Sequence, residues 1–408
     1  MRPLEGLKVI EMGVYVAAPG VTRLFADWGA EVIKIEAPTG DNARIGGYSI
    51  HLPARPDCNP TFSLPNSGKK LISLNLKTPE GMEVMEKLLA DADIFISNNR
   101  YGGLSRLGLD YESLHARYPR LICGYVNGYG FEGPDKDRPG FDMTSFWATS
   151  GILNAMRDPE NPPRFPPPGV GDTATSGMLA AGVLAAVIKR YSTGEGSKVT
   201  TSLMATGIWC NYSHVTAGQD RKLPDTQEPF RTPYPFKQWK NPFYHVYRCK
   251  GERLFFLLGG SYGKLPLTLE ALGLDDLVGD PRYANHAAMQ KNSDYLYDRM
   301  IEKFLEKTAE EWSEILQPLD ISFEILSTNC DVSKSEQAWA NGYLTHMEFP
   351  DGNSYIAPNT PVDFSDCEKA QSRHVGGIGC DTRQVLAQLG YTPEQIQELL
   401  GRGAAIEK

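Results

Sequence analysis

The chain has 408 residues, with 41 Lys plus Arg against 50 Asp plus Glu, for a formal net charge of −9. Mild acidity spread over such a length leaves no electrostatic footprint for nucleic acid or an anionic membrane, so neither is expected as a partner. At about 150 residues per domain the length suggests two or three domains, and 41% apolar residues supply sizeable cores.

The opening run MRPLEGLKVIEM carries Glu5 where an export signal needs its apolar stretch, so a cytoplasmic protein is expected. Residues 7–36 read as one βαβ unit: a strand Leu7 to Glu11, a Gly/Ala/Pro loop, a helix Gly20 to Trp28, and a strand Glu31 to Ile35. Further apolar runs follow at Leu71 to Leu76, Ile94 to Ser97 and Leu121 to Tyr125. Between them, Thr78-Pro79-Glu80 supplies an N-cap and an N1 proline for a helix Pro79 to Leu89. This spacing predicts a doubly wound, Rossmann-like α/β sheet. The run NPPRFPPPGVG, Asn161 to Gly171, is neither helix nor central strand, and it delivers Asp172 to the start of a strongly helical segment. Within that segment Met178 to Ile188 is apolar for 11 residues, short of the roughly 20 a membrane span needs, and reads as buried core helix.

From Leu223 to Lys240 the texture changes to Pro, Gln, Lys and aromatic residues, as in a linker. Strand-like HVYRC and LFFLLGG runs and a helix Tyr295 to Lys307 then suit a smaller α+β domain. The expected division is 1–220 as a large α/β domain, 221–330 as the small domain, and 331–408 as a return to the large one, ending in a helix near Thr392-Pro393-Glu394.

Several specific chemistries are missing. The first loop, Gly13 to Gly20, lacks the GxGxxG fingerprint, and no P-loop, GxSxG or HExxH motif occurs. Histidines 51, 115, 214, 245, 286, 346 and 374 never fall at ligand spacing, and cysteines 58, 123, 210, 249, 330, 367 and 380 form no CxxC. No metal is expected, and the cysteines read as reduced, mostly buried thiols. Asp172 is the most informative acid. An ordinary N-cap is one reading of it. In the other, the positive end of the helix keeps its carboxylate ionised and glycines 169 and 171 leave room for substrate, so that it attacks an acyl carbon.

The runs LEGLKVIEMG, GAEVIKIEAPTGD, LNLKTPEG, GYGFEGPDKDRPGFD, PGVGDTATSGMLAAGVLAA with TGEGSKVTTSLM, and DTRQVLAQLGYTPEQIQEL together resemble the class III CoA-transferases, also called the carnitine and bile-acid inducible type. They occur in order over nearly the whole chain. The resemblance implies a homodimer of interlocked chains and a CoA thioester bound as substrate, with no tightly held cofactor. It places the family's catalytic aspartate on Asp172. Its CoA contacts fall on Val16 and Ala17 in the first loop, on Asn98 and Arg106 near the nucleotide, and on Leu74, Asn75 and Lys77 at the adenine side. Ala37 stands where some relatives place an adenine-stacking Arg, Val16 where some place a Gln, and Lys136 and Arg138 match phosphate or pantetheine contacts.

The resemblance also implies a covalent exchange through aspartyl anhydride and aspartyl-CoA intermediates. Backbone amides of Gly171 to Ala174, and Gly259 and Gly260 of the small domain, are candidate oxyanion donors. Related racemases carry a His-Asp pair where this chain has Phe141-Asp142, and Phe141 cannot carry a proton. The motifs look most like transferases for phenyllactate or 2-hydroxyisocaproate in amino-acid fermentation, with an enoyl- or arylpropenoyl-CoA donor and an acyl pocket of Tyr15, Phe141, Phe146 and Trp147. Transfer to oxalate, carnitine, succinate or a bile acid is the alternative, followed by racemase activity or noncatalytic CoA binding.

Overall fold

The computed structural model describes all residues except 47–58, 157–160, 218–240 and 259–261. The expected linker 223–240, Gly259, Gly260 and Cys58 therefore lie outside the described residues. The chain divides into two compact units. One comprises Met1–Met156, Pro163–Phe230 and Glu336–Lys408, and the other Arg157–Pro162 and Arg231–Ser335.

Twelve strands are found among the described residues. β1 (Lys8–Met12), β2 (Glu31–Glu36), β3 (Lys70–Leu74), β4 (Ile94–Ser97), β5 (Ile122–Asn127) and β6 (Lys198–Ser202) precede the second unit. That unit holds β7 (His245–Arg248), β8 (Leu254–Leu257) and β9 (Phe323–Ile325), and the tail adds β10 (Leu344–Glu348), β11 (Ser354–Pro358) and β12 (Ala405–Ile406). The large unit is built on a seven-stranded sheet of order β12-β3-β2-β1-β4-β5-β6. All of its pairings are parallel except that of β12, which runs antiparallel along the β3 edge with Ala405 opposite Leu74.

Alternation along the strands divides the core into two layers. Val9 and Ile94 face a cluster with Val21, Phe25, Leu179 and Val183 from the helices Ala17–Asp27 and Val170–Thr193. Ile10 and Phe95 face the opposite cluster with Val84, Leu88 and Leu399 from the helices Pro79–Ala90 and Pro393–Gly401. The doubly wound arrangement read from the sequence follows, since helices must cover both faces of a parallel sheet. Thr78 caps its helix by accepting from the Gly81 amide, with Pro79 in the first turn. Thr392 and Gln395 form a capping box ahead of Pro393–Gly401.

The helix Val170–Thr193 is long and apolar enough to cross a membrane by composition. Leu179, Ala180, Val183 and Val187 are buried against the sheet, but Met178, Ile188 and Tyr191 are exposed, so only one face of the expected core helix is core. Ser176 Oγ lies 2.8 Å from the Ala17 carbonyl oxygen and ties this helix to Ala17–Asp27. The cysteines also depart from expectation. Cys123 and Cys249 are buried, Cys210, Cys330 and Cys380 are exposed, and Cys367 is intermediate, because most sit on loops or helix ends rather than on inward faces.

The second unit packs helices, among them Ser293–Phe304 and Ala309–Leu316, on the antiparallel sheet β7-β8-β9. Tyr247, Phe255, Phe304 and Trp312 fill its core. The Tyr247 and Phe304 rings stack with centroids 4.4 Å apart.

Candidate active site

In the sheet order, β1 lies between β2 and β4, so the chain leaves it toward one edge and later resumes toward the other. The loops after β1 and β4 diverge at this switch point, and a parallel sheet opens its ligand crevice there. A cleft of 1110 Å³ occupies the position, lined from the first loop by Val14 to Ala17, from the β4 loop by Asn98 to Arg100, and later by residues 136–143 and by Pro168, Gly169 and Asp172.

Buried charges hold the first loop from beneath. Lys34 Nζ donates to Glu11 Oε1 (2.9 Å), Asp41 Oδ2 (2.9 Å) and the Gly13 carbonyl (2.8 Å). Lys69 Nζ donates to Glu11 Oε2 (2.6 Å) and the Pro19 carbonyl (2.9 Å). Burial opposes the charge on Glu11, but Lys34 and Lys69 outweigh it and hold this carboxyl well below the usual carboxylate range. From the β4 side, Asn98 accepts the Val14 N–H and donates to the Val14 carbonyl, both at 2.8 Å.

Asp172 faces the cleft from the third residue of the helix Val170–Thr193. It is not the N-cap. Gly169 takes that position with φ 83°, a left-handed turn that suits a residue without Cβ, and it has no side chain to offer the first-turn amides. Asp142 supplies the missing acceptor. Lying at the start of a π-helical turn Asp142–Ala148 and only 7% exposed, it accepts the Gly169 N–H through Oδ2 (2.8 Å) and the Asp172 N–H through Oδ1 (3.2 Å). A Cβ on Gly171 would lie 2.3 Å from Asp142 Oδ1 and 2.3 Å from Phe146 Cγ, so only glycine lets the two segments meet.

This arrangement reverses the electrostatic expectation for Asp172. The positive end of the helix is taken by Asp142, and burial followed by the Asp142 charge pushes the Asp172 carboxyl up to about 7. The expected oxyanion donors are also partly spent. The Asp172 amide serves Asp142, and the Thr173 amide donates to the Gly169 carbonyl at 2.9 Å.

Of the residues singled out in the sequence, Tyr15, Val16, Ala17, Asn98, Lys136, Arg138 and Phe141 line the cleft with Asp172. Others lie outside its lining. Leu74 is 1% exposed and belongs to the core. Asn75 accepts the Lys77 amide in the turn before the helix Pro79–Ala90. Ala37, Lys77 and Arg106 are exposed on neighbouring loops and a helix end. Phe146 and Trp147, placed in the acyl pocket by the sequence reading, lie outside the lining: Phe146 is 4% exposed, with Trp147 edge-on at 5.2 Å, because its ring, like the Asp142 carboxylate, is turned against the Gly171 backbone. Asp142, Lys34 and Asp41 were not singled out as site residues. No local motif marks them: Asp142 meets Asp172 across 30 residues, Lys34 meets Glu11 across 23 and Asp41 meets Tyr15 across 26, although Lys34 and Asp41, seven residues apart, also pair with each other.

A half-buried carboxyl with a raised pKa, facing a cleft at the switch point of a doubly wound sheet, defines a site for covalent or acid–base work on a bound ligand. Residues 4–382 match CoA-transferase family III, and the chain belongs to that family. It is 37% identical over 395 residues to the (R)-2-hydroxy-4-methylpentanoate CoA-transferase of Clostridioides difficile, covering 96% of this chain and 97% of the relative. It is also 37% identical over 397 residues to the cinnamoyl-CoA:phenyllactate CoA-transferase of Clostridium sporogenes, covering 97% and 95%. A CAIB/BAIF family protein from Brucella suis superimposes with a TM-score of 0.81 at 26% identity, covering 95% of this chain and 99% of the other.

Proposed function

We propose that this enzyme moves CoA from an enoyl- or arylpropenoyl-CoA to a 2-hydroxy acid such as phenyllactate or 2-hydroxyisocaproate. The carrying observation is the Asp172 carboxyl, raised to about 7 and facing a cleft whose wall includes the Tyr15–Phe141 aromatic pair. A carboxylate of that basicity is a better nucleophile than an ordinary aspartate yet is substantially ionised near neutrality. The two relatives named above support the acceptor class.

In this reading the ionised Asp172 attacks the thioester carbonyl, forming an acyl-aspartyl anhydride and expelling CoA thiolate. The thiolate attacks the Asp172 carbonyl, giving aspartyl-CoA and releasing the donor as its carboxylate. The acceptor carboxylate then attacks aspartyl-CoA, forming a second anhydride and freeing the thiolate once more. The thiolate finally takes the acceptor acyl group and returns Asp172 as a carboxylate. No proton is consumed overall. Lys136 and Arg138 supply positive charge within the cleft for the phosphates of the CoA arm. Ala37, Asn75, Lys77 and Arg106 are candidates for the nucleotide end beyond it.

The enzyme we propose works in the cytoplasm as a homodimer, with the CoA thioester as substrate rather than resident cofactor. The exposed apolar side chains Met178, Ile188 and Tyr191 of the helix Val170–Thr193, with Trp209 and Tyr212 on the helices that follow, support self-association, since each gains by leaving water in an interface. The test of function is a panel of free acids incubated with cinnamoyl-CoA, with new thioesters identified by mass. Phenyllactate and 2-hydroxyisocaproate are expected to outperform oxalate, succinate and carnitine. A clear preference for a small dicarboxylate would overturn the acceptor assignment.

A further inference from the structure

The loop after β1 is held in a conformation that its sequence does not favour. Tyr15 has φ 60°, in the left-handed region, where an L side chain crowds its own backbone and glycine is at ease. Such a residue persists only where its surroundings over-determine it. Lys34 anchors the Gly13 carbonyl, Asn98 clamps both polar groups of Val14, and Asp41 Oδ1 accepts the Tyr15 N–H at 3.1 Å. Asp41 is itself fixed on several sides. Its Oδ1 also accepts the Ala43 N–H (2.9 Å), its Oδ2 pairs with Lys34 Nζ (2.9 Å), and its own amide donates to Glu36 Oε1 (3.0 Å). Asp41 is 4% exposed and Lys34 fully buried.

A glycine at position 15 would make this turn without strain, so the tyrosine ring is what the strain retains. The ring stands edge-on to Phe141 with centroids 6.1 Å apart and planes at 86°, and both residues line the cleft with Asp172. We propose that Asp41, seated by Lys34, is a positioning residue for acyl selectivity: it holds Tyr15 left-handed so that its ring and Phe141 form one aromatic wall of the acyl site. The proposal rests on the reading of Asp172 as the acyl-accepting residue.

The test compares kcat/KM for phenyllactate and lactate as acceptors from one acyl-CoA, in the wild type, Tyr15→Gly, Asp41→Ala, the double variant and Asp41→Asn. Tyr15→Gly and Asp41→Ala are each expected to reduce the phenyllactate-to-lactate ratio about tenfold, mainly through KM for phenyllactate. The double variant should lose no more than either single one, because both remove the same wall. Asp41→Asn keeps a carboxamide oxygen for the Tyr15 N–H but turns an NH2 donor toward Lys34 Nζ, so it should recover only part of the ratio. Should Asp41→Ala not fold, Asp41→Ser takes its place with the same expected loss. Active variants with a wild-type ratio, or single effects that multiply in the double variant, overturn the proposal and leave the transferase reading intact. A wild type that transfers CoA to neither acid overturns that reading and this proposal together.

Discussion

The carboxylate of Asp142 accepts the backbone N–H of Asp172 at 3.2 Å, so one acid closes the first helical turn beneath the other. The helix N-terminus favours negative charge, and here that preference is satisfied by Asp142. Asp172 is left partly buried beside a like charge, and both effects oppose its ionisation. The same contact that orders the turn thus makes the cleft carboxylate more basic.

Activity should therefore carry an acid limb set by Asp172. Its carboxyl is raised from 3.8 to about 7, so below that pH it is protonated and cannot attack. We expect kcat/KM in the free enzyme to rise as pH increases toward 7 and then level off. The same shift makes this residue's contribution to stability fall between about pH 4 and 7, where the unfolded chain has released a proton that the folded one retains. Asp142→Asn removes the neighbouring charge and should move the limb to lower pH, while one amide of the Gly169–Asp172 turn loses its acceptor at a cost of about 1–3 kcal/mol. A flat profile from pH 5 to 8 in the wild type, or an unmoved limb in the variant, contradicts this account.

Gly171→Ala tests the close approach of the two segments. The new methyl would enter the space of both Asp142 Oδ1 and the Phe146 ring, so the π-helical turn must retreat. Overpacking of this kind costs about 1–3 kcal/mol, and displacement of Asp142 should lower kcat by about tenfold or more. Thermal melting together with initial rates checks both effects. Wild-type values for the two would show that the segments are not in contact.

Lys34→Met should be among the more damaging substitutions away from the cleft. It leaves Glu11 and Asp41 buried with fewer compensating charges and the Gly13 carbonyl without its donor. Breaking a buried pair from one side costs about 3–5 kcal/mol. Urea denaturation gives the value directly, and a loss below about 1 kcal/mol would mean that water or Lys69 replaces the missing charge.

The parallel sheet was legible because its strands are short apolar runs separated by helices with visible caps, as at Thr78-Pro79 and Thr392-Pro393. Asp172 was legible because the proline-rich run ahead of it cannot be helical, so the helix had to begin nearby. Its exact place in the turn was not, since a glycine N-cap carries no side-chain signal. Asp142 was passed over as the neighbour of Phe141 because its hydrogen bonds cross 27 and 30 residues. Phe146 looked like pocket and proved to be core for a similar reason. A π-helical turn changes which residues share a face, and nothing in the local sequence announces one. The antiparallel strand β12, only two residues long, lies below what periodicity can detect.

The proposed transfer requires Asp172 to become acylated, and locating the adduct tests this. The enzyme is incubated with cinnamoyl-CoA, quenched with hydroxylamine, digested and mapped by mass, alongside Asp172→Ala. A hydroxamate on the peptide containing Asp172, together with a loss of transfer by several orders of magnitude in Asp172→Ala while CoA binding survives, is the expected result. An adduct on another residue, or near-normal transfer by freshly prepared Asp172→Ala, would contradict it.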